Sequence, residues 1–100
     1  MTYEKIINDF DNHIKRSGCK FYNEFYIGIT SDVEERLFGQ HRVDRAKQWW
    51  IFSPADNENV AREVEKHYLS FGMKGGSGGG SGNGDCNIVY CYVITPYTVE

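Results

Sequence analysis

The chain has 100 residues, 40% hydrophobic and 25% charged, with a formal net charge of −3. That length supports one compact domain with a modest core, and the composition is ordinary for a globular protein. No apolar run is long enough to span a bilayer and no secretory signal heads the sequence, so a cytoplasmic protein without a membrane partner is expected; the negative balance argues against tight, non-specific binding of nucleic acid.

Residues 2–17 have helical spacing: Tyr3, Ile6, Ile7, Phe10 and Ile14 form one apolar stripe, and Gly18 is a natural stop. His13 borders that stripe and reads as structural. Residues 21–30 read as a strand, with Tyr22, Tyr26 and Gly28 on one face and Phe25, Ile27 and Ile29 on the other. A helix begins at Ser31-Asp32, its start set by capping-box spacing between Ser31 and Glu34. Arg36 then lies little more than one turn in, close to the strand-end Tyr26. A phenol and a guanidinium on rigid elements suit a phosphate ester: one handles a proton, the other the anionic oxygens. The plain alternative is a strand–turn–helix with a surface arginine.

His41, Arg42, Arg45 and Lys47 follow as a basic run, either a solvated face or a set of phosphate contacts. Residues 48–52 form a second apolar strand bounded by Ser53-Pro54, with Trp49 and Trp50 on opposite faces. One tryptophan belongs in the core; the other either stacks a base or covers a loop. The next helix takes its N-cap from residues 56–59, runs to Phe71 and stops at Gly72. Val60, Val64, Tyr68 and Phe71 make its apolar face. Glu63 points to solvent, whereas Glu65 lies at the margin of the buried face, where a carboxylate either caps a salt bridge or serves a site. Residues 72–84 hold eight glycines and two serines, a composition like that of a flexible linker and in parts like a synthetic one. Its functional alternative is a mobile flap whose backbone N–H groups approach a phosphate. The connection is drawn as flexible over residues 72–85 of a single domain.

Residues 86–95 supply the last strand, with Tyr90, Tyr92 and Ile94 on one face and Val89, Cys91 and Val93 on the other. Pro96 limits its continuation. Cys19, Cys86 and Cys91 are odd in number and lack zinc or CxxC spacing, which fits thiols in a reducing compartment. They have no readable histidine partner, so a cysteine nucleophile has little support. The fold class is α+β: a small mixed or antiparallel three-stranded sheet flanked by helices, in the order α-β-α-β-α-β.

The run Tyr26-Ile27-Gly28-Ile29-Thr30-Ser31-Asp32-Val33-Glu34-Glu35-Arg36-Leu37 resembles the GIY-YIG endonuclease family in the order and spacing of its tyrosine, glycine, threonine, aspartate and arginine. The likeness covers residues 25–41 and continues more weakly into the later helix, where Ala61 and Glu65 match the family's alanine and metal-binding glutamate. It implies a metal-dependent endonuclease hydrolysing DNA phosphodiester bonds. Tyr26, Arg36, Tyr90 and His41 would be catalytic, Glu65 would hold one Mg²⁺ or Mn²⁺, and Gly28, Arg42, Arg45, Lys47 and Asn83 would contact substrate. A tyrosine base needs its ordinary pKa of about 10 lowered, and His41 is the alternative base. If the chemistry has been lost, the same fold serves as a nucleic-acid-binding or protein-interaction module.

Three departures from the family pattern shape these expectations. Nothing upstream of Tyr26 supplies the first motif, glycine-isoleucine-tyrosine. We expect Ile88-Val89-Tyr90 to fill that place, antiparallel to the Tyr26 strand as in a circular permutation, with Tyr92 as the fallback. The family's histidine one turn after the arginine falls here on Gln40, with His41 one residue later. Its asparagine falls in the glycine-rich region, where Asn83 or Asn87 would substitute.

Overall fold

The computed structural model describes residues 1–46, 48–75 and 86–99. Helix α1 spans Tyr3–Ser17. Thr2 caps it by accepting the Lys5 N–H, and Gly18 ends it at φ 79°, a left-handed conformation glycine adopts without strain. Its stripe buries Ile6 and Phe10 completely, each worth about 1.5–3 kcal/mol of transfer free energy. His13 stacks on Trp49 with ring centroids 4.4 Å apart, and burial lowers its pKa.

Strands β1 (Phe25–Thr30), β2 (Trp50–Pro54) and β3 (Ile88–Val93) form an antiparallel sheet in the order β1-β3-β2. β1 is shorter than the predicted strand because Tyr22–Glu24 wind into a 3-10 turn, where the Glu24 carboxylate accepts the Lys20 and Phe21 N–H groups. Tyr22 therefore leaves the Tyr26 face and stacks on Phe71 at 5.2 Å. β2 starts two residues later than predicted and takes in Pro54, which an edge strand tolerates. β3 lies beside β1 as expected, at the centre of the sheet. The register corrects one detail: Tyr92 is opposite Tyr26, while Tyr90 is opposite Gly28.

Alternation gives the sheet two faces. Phe25, Ile27, Ile29, Val89 and Cys91 pack with α1 and with Ala61, Val64 and Tyr68 of α2 (Glu58–Ser70). Tyr26, Tyr90 and Tyr92 point the other way, into a second cluster with Leu37 and Val43. The two tryptophans divide as expected, Trp49 against the first cluster and Trp50 against the second. Asn57 caps α2 by accepting the Val60 N–H at 2.9 Å, and Gly72 turns the chain back at φ 108°. Phe71 is an exception to the predicted apolar face. It follows the last turn and stays exposed, packing on Tyr22 and His67 at the surface.

After Gly72 the chain returns to the sheet. Lys74 forms a parallel bridge to β1: its N–H donates to the Phe25 carbonyl and its carbonyl accepts the Ile27 N–H, both at 2.9 Å. Met73 is buried, and a Cβ at Gly75 would sit 2.8 Å from the Ile27 carbonyl oxygen. Residues 73–75 thus cover the outer edge of β1; residues 76–85, the greater part of the flexible connection expected over 72–85, lie outside the described residues. Among the described residues no helix is long and apolar enough to cross a membrane.

Candidate functional site

Arg36 and His41 reach the second face through the turn after β1. Thr30 Oγ1 accepts the Asp32 N–H at 3.0 Å, and Asp32 Oδ1 accepts the Glu35 N–H at 3.2 Å. Asp32 therefore caps the next helix in place of the Ser31–Glu34 box expected from sequence. That helix, Glu34–Gln40, is a π-helix, and the His41 N–H donates to the Arg36 carbonyl at 3.0 Å. The wider i→i+5 winding sets His41 over Arg36, where ordinary α-winding would bring Gln40.

Arg36 and His41 converge on the Tyr90 phenol. His41 Nε2 lies 2.8 Å from Tyr90 Oη, and the Arg36 guanidinium interacts with the same side chain. The other imidazole nitrogen, Nδ1, is 2.6 Å from the Val99 carbonyl oxygen. A carbonyl only accepts, so Nδ1 carries a proton, and in the neutral ring Nε2 accepts the Tyr90 hydroxyl. The Tyr92 hydroxyl stands 2.9 Å from Nδ1 and donates to the Val99 carbonyl at 3.4 Å. Val99 N–H donates back to the His41 carbonyl at 2.8 Å, so the C-terminal segment clasps the histidine at ring and backbone. Tyr26 completes the wall, its ring 5.3 Å from Tyr92, 6.4 Å from Tyr90 and 4.8 Å from His41.

Gly28 has a steric part here where the sequence reading placed it at the substrate. The Tyr90 ring lies across it: a Cβ at this position would be 2.5 Å from Oη and 2.6 Å from Cζ. We expect Gly28→Ala to cost about 1–3 kcal/mol through overpacking and to pull Tyr90 off His41. Urea unfolding gives the cost, and the imidazole signals of His41 in an NMR spectrum report the broken contact; unchanged signals would show that the ring sits elsewhere.

Glu65 approaches from α2. It is half-buried, and its Oε2 has no hydrogen-bond partner among the described residues. Burial raises its carboxyl pKa against a weaker lowering by Arg62. Its charge reaches Tyr90, whose phenol is pushed up to about 12: burial dominates, the Arg36 hydrogen bond opposes it, and Tyr26 and Glu65 raise it further. Arg36 has the complementary defect. One terminal nitrogen donates to Gln40 Oε1 at 3.3 Å, yet its buried Nε has no acceptor among the described residues, and the Tyr90 hydrogen bond holds its pKa up. Among the described residues, a buried donor on a cation and a buried acceptor on a carboxylate thus lack partners, and the charges of both groups act on one phenol.

Among the described residues no three His, Cys, Asp or Glu side chains gather as a metal cage. A single orphaned carboxylate oxygen fits a hard cation that takes one protein ligand and keeps its waters, as Mg²⁺ does. It does not fit zinc, which draws three or four protein ligands.

The structure thus brings Tyr26, Arg36, His41, Glu65 and Tyr90 into one neighbourhood. It places the expected substrate arginines elsewhere. Arg45 pairs with Glu34 and lies 3.9 Å over the Phe38 ring, while Arg42, at φ 57°, lines a groove with Asp44, Gln48 and Tyr97. Lys47 and Asn83 lie outside the described residues. Cys91 is on the opposite face, fully buried beside Met73 with its thiol pKa pushed up by burial, and is no nucleophile. Sequence reading missed Val99 altogether, because its contribution is a backbone carbonyl that no side-chain pattern announces. No protein-family model, curated protein or solved structure matches the chain.

Proposed function

We propose that the protein is a metal-dependent endonuclease that hydrolyses DNA phosphodiester bonds, built as a circularly permuted GIY-YIG-like domain. The observation that carries this reading is the convergence of Arg36 and His41 on the Tyr90 phenol, with the charge of Glu65 on α2 also acting on it. Three further features support it: the motif likeness around Tyr26 and Arg36, the position of Ile88-Val89-Tyr90 beside β1, and the π-winding that gives His41 the place one turn after Arg36. The buried Cys91 thiol suits a reducing compartment, and we assign the protein to the cytoplasm.

At neutral pH Tyr90 is protonated and works as a relay. It takes a proton from the attacking water as its own proton passes to His41 Nε2, and the imidazolium so formed is held by the Val99 carbonyl. The water oxygen bonds to phosphorus while the bond to the leaving sugar oxygen breaks. The Arg36 guanidinium stabilises a phosphoryl oxygen as charge develops there. Glu65 would hold Mg²⁺ or Mn²⁺, which supplies Lewis-acid stabilisation of the leaving oxygen.

The test is incubation of purified protein with plasmid and single-stranded DNA in Mg²⁺, Mn²⁺ or EDTA. Cleavage is expected only with metal, and Arg36→Ala should slow it by about 10²–10³-fold. DNA left whole under every metal condition would defeat the reading. The net charge of −3 and the Arg45–Glu34 pair favour a second reading, an inactive binding module. Intact DNA bound equally by wild type and Arg36→Ala would identify it.

A further inference from the structure

We infer that the site takes its nucleotide unpaired, with the base stacked on Phe52; this names a substrate class for the nuclease reading and rests on it. The register of β2 sets Trp50 opposite Tyr92 and Phe52 opposite Tyr90, on the face that carries the site. The Trp50 and Phe52 rings are nearly parallel, at 9° with centroids 5.8 Å apart. Phe38 closes Trp50 edge-on at 5.0 Å, and the Arg45 guanidinium covers Phe38. The column is therefore sealed at one end. Its other end is open: Phe52 is 37% exposed, whereas Tyr26, Tyr90 and Tyr92 are 6% exposed or less.

Phe52 is the direct cross-strand neighbour of the phenol that Arg36 and His41 share. A base lying on it extends the aromatic column beside that phenol, and the Arg36 guanidinium, which interacts with the phenol, supplies charge complementary to the nucleotide's phosphate. An apolar protein segment would use the rings but bring no charge to complement the guanidinium, so the nucleotide is the better occupant. Charge balance selects the unpaired form. Duplex affinity comes largely from neutralised phosphates, and a chain of net charge −3 whose Arg45 already pairs with Glu34 has little to offer there. Base–aromatic stacking contributes roughly 5- to 100-fold in affinity per base without net positive charge. Bases in a duplex are already stacked and present no free face.

Anisotropy titrations in EDTA, with a labelled oligothymidylate and a duplex of equal length, separate binding from cleavage. The single strand should bind more tightly, and Phe52→Ala should weaken it by roughly 5- to 100-fold while duplex affinity stays put. Phe52→Tyr should restore single-strand binding, which guards against a merely misfolded variant. Tighter binding of the duplex, or Phe52→Ala binding the single strand as wild type does, overturns the inference; if metal-dependent cleavage persists in that case, the nuclease reading survives. Phe52-dependent single-strand binding without any cleavage does the reverse, upholding the stacking site and sinking the nuclease.

Discussion

Tyr90→Phe should slow phosphodiester cleavage by about 10³-fold and leave the fold in place, the middle of the range for loss of a general acid–base group. The substitution keeps the ring, so the stack with Tyr26 and the packing against Leu37 and Val43 persist. What disappears is one oxygen, the atom that donates to His41 Nε2 and interacts with Arg36. His41 then has no proton to receive, and Arg36 loses the partner that orients it. The stability cost should be near 1 kcal/mol, the net worth of an ordinary hydrogen bond. Tyr26→Phe is the informative companion, since the contacts that tie Tyr26 to the site are ring stacks that phenylalanine preserves. Its loss of activity should be at least tenfold smaller than that of Tyr90→Phe. Because burial holds the Tyr90 phenol up to about 12, the pH–rate profile should show no inflection from Tyr90 ionisation below that value. Single-turnover cleavage of supercoiled plasmid measures both variants. A Tyr90→Phe enzyme within threefold of wild type would remove the relay from the mechanism.

The parts of this site that were legible in the sequence are those set by local periodicity. A 3.6-residue stripe ending at Gly18 defines α1, two-residue alternation separates Tyr26 from Ile27, and helical spacing puts Glu65 on the margin of α2. Arg36 follows from its distance to the end of β1. Features that depend on closure of the whole chain were hidden. Nothing within residues 34–40 announces i→i+5 winding; it brings His41 to the Tyr90 phenol, which arrives from the far end of the sequence. Strand pairing was readable but its register was not, since alternation is satisfied equally with Tyr90 or Tyr92 opposite Tyr26. The Lys74 bridge escaped for a similar reason: glycine-rich composition describes freedom of the backbone, while an open strand edge decides where that backbone binds.

Glu65→Gln should make the protein more stable at neutral pH and at the same time slow metal-dependent cleavage by about 10²-fold or more, as expected when a charge-stabilising group is lost. The stability gain follows from the sign of the carboxyl shift. Burial raises the folded-state pKa of Glu65 above its ordinary value of 4.5. As pH climbs through 4.5 the unfolded chain releases this proton first, so the folded state binds more protons and stability falls until the folded pKa is passed. The deficit then remains at pH 7. Glutamine has the same shape and no charge to desolvate, so the variant should lead the wild type at pH 7, and the lead should vanish below pH 4.5, where Glu65 is neutral in the folded and unfolded wild type alike. Since Glu65 is only half-buried, solvent screening holds the gain to about 1 kcal/mol, or roughly 4–8 °C in midpoint for a domain of this size. Magnesium should close the gap from the other side, raising the midpoint of the wild type alone because a ligand stabilises only the form that binds it. Thermal melts at pH 4, 5.5 and 7, with and without millimolar Mg²⁺, test all of this. A Glu65→Gln protein less stable at pH 7 would show the carboxylate already satisfied by the fold, and equal Mg²⁺ shifts in both proteins would place the cation somewhere else.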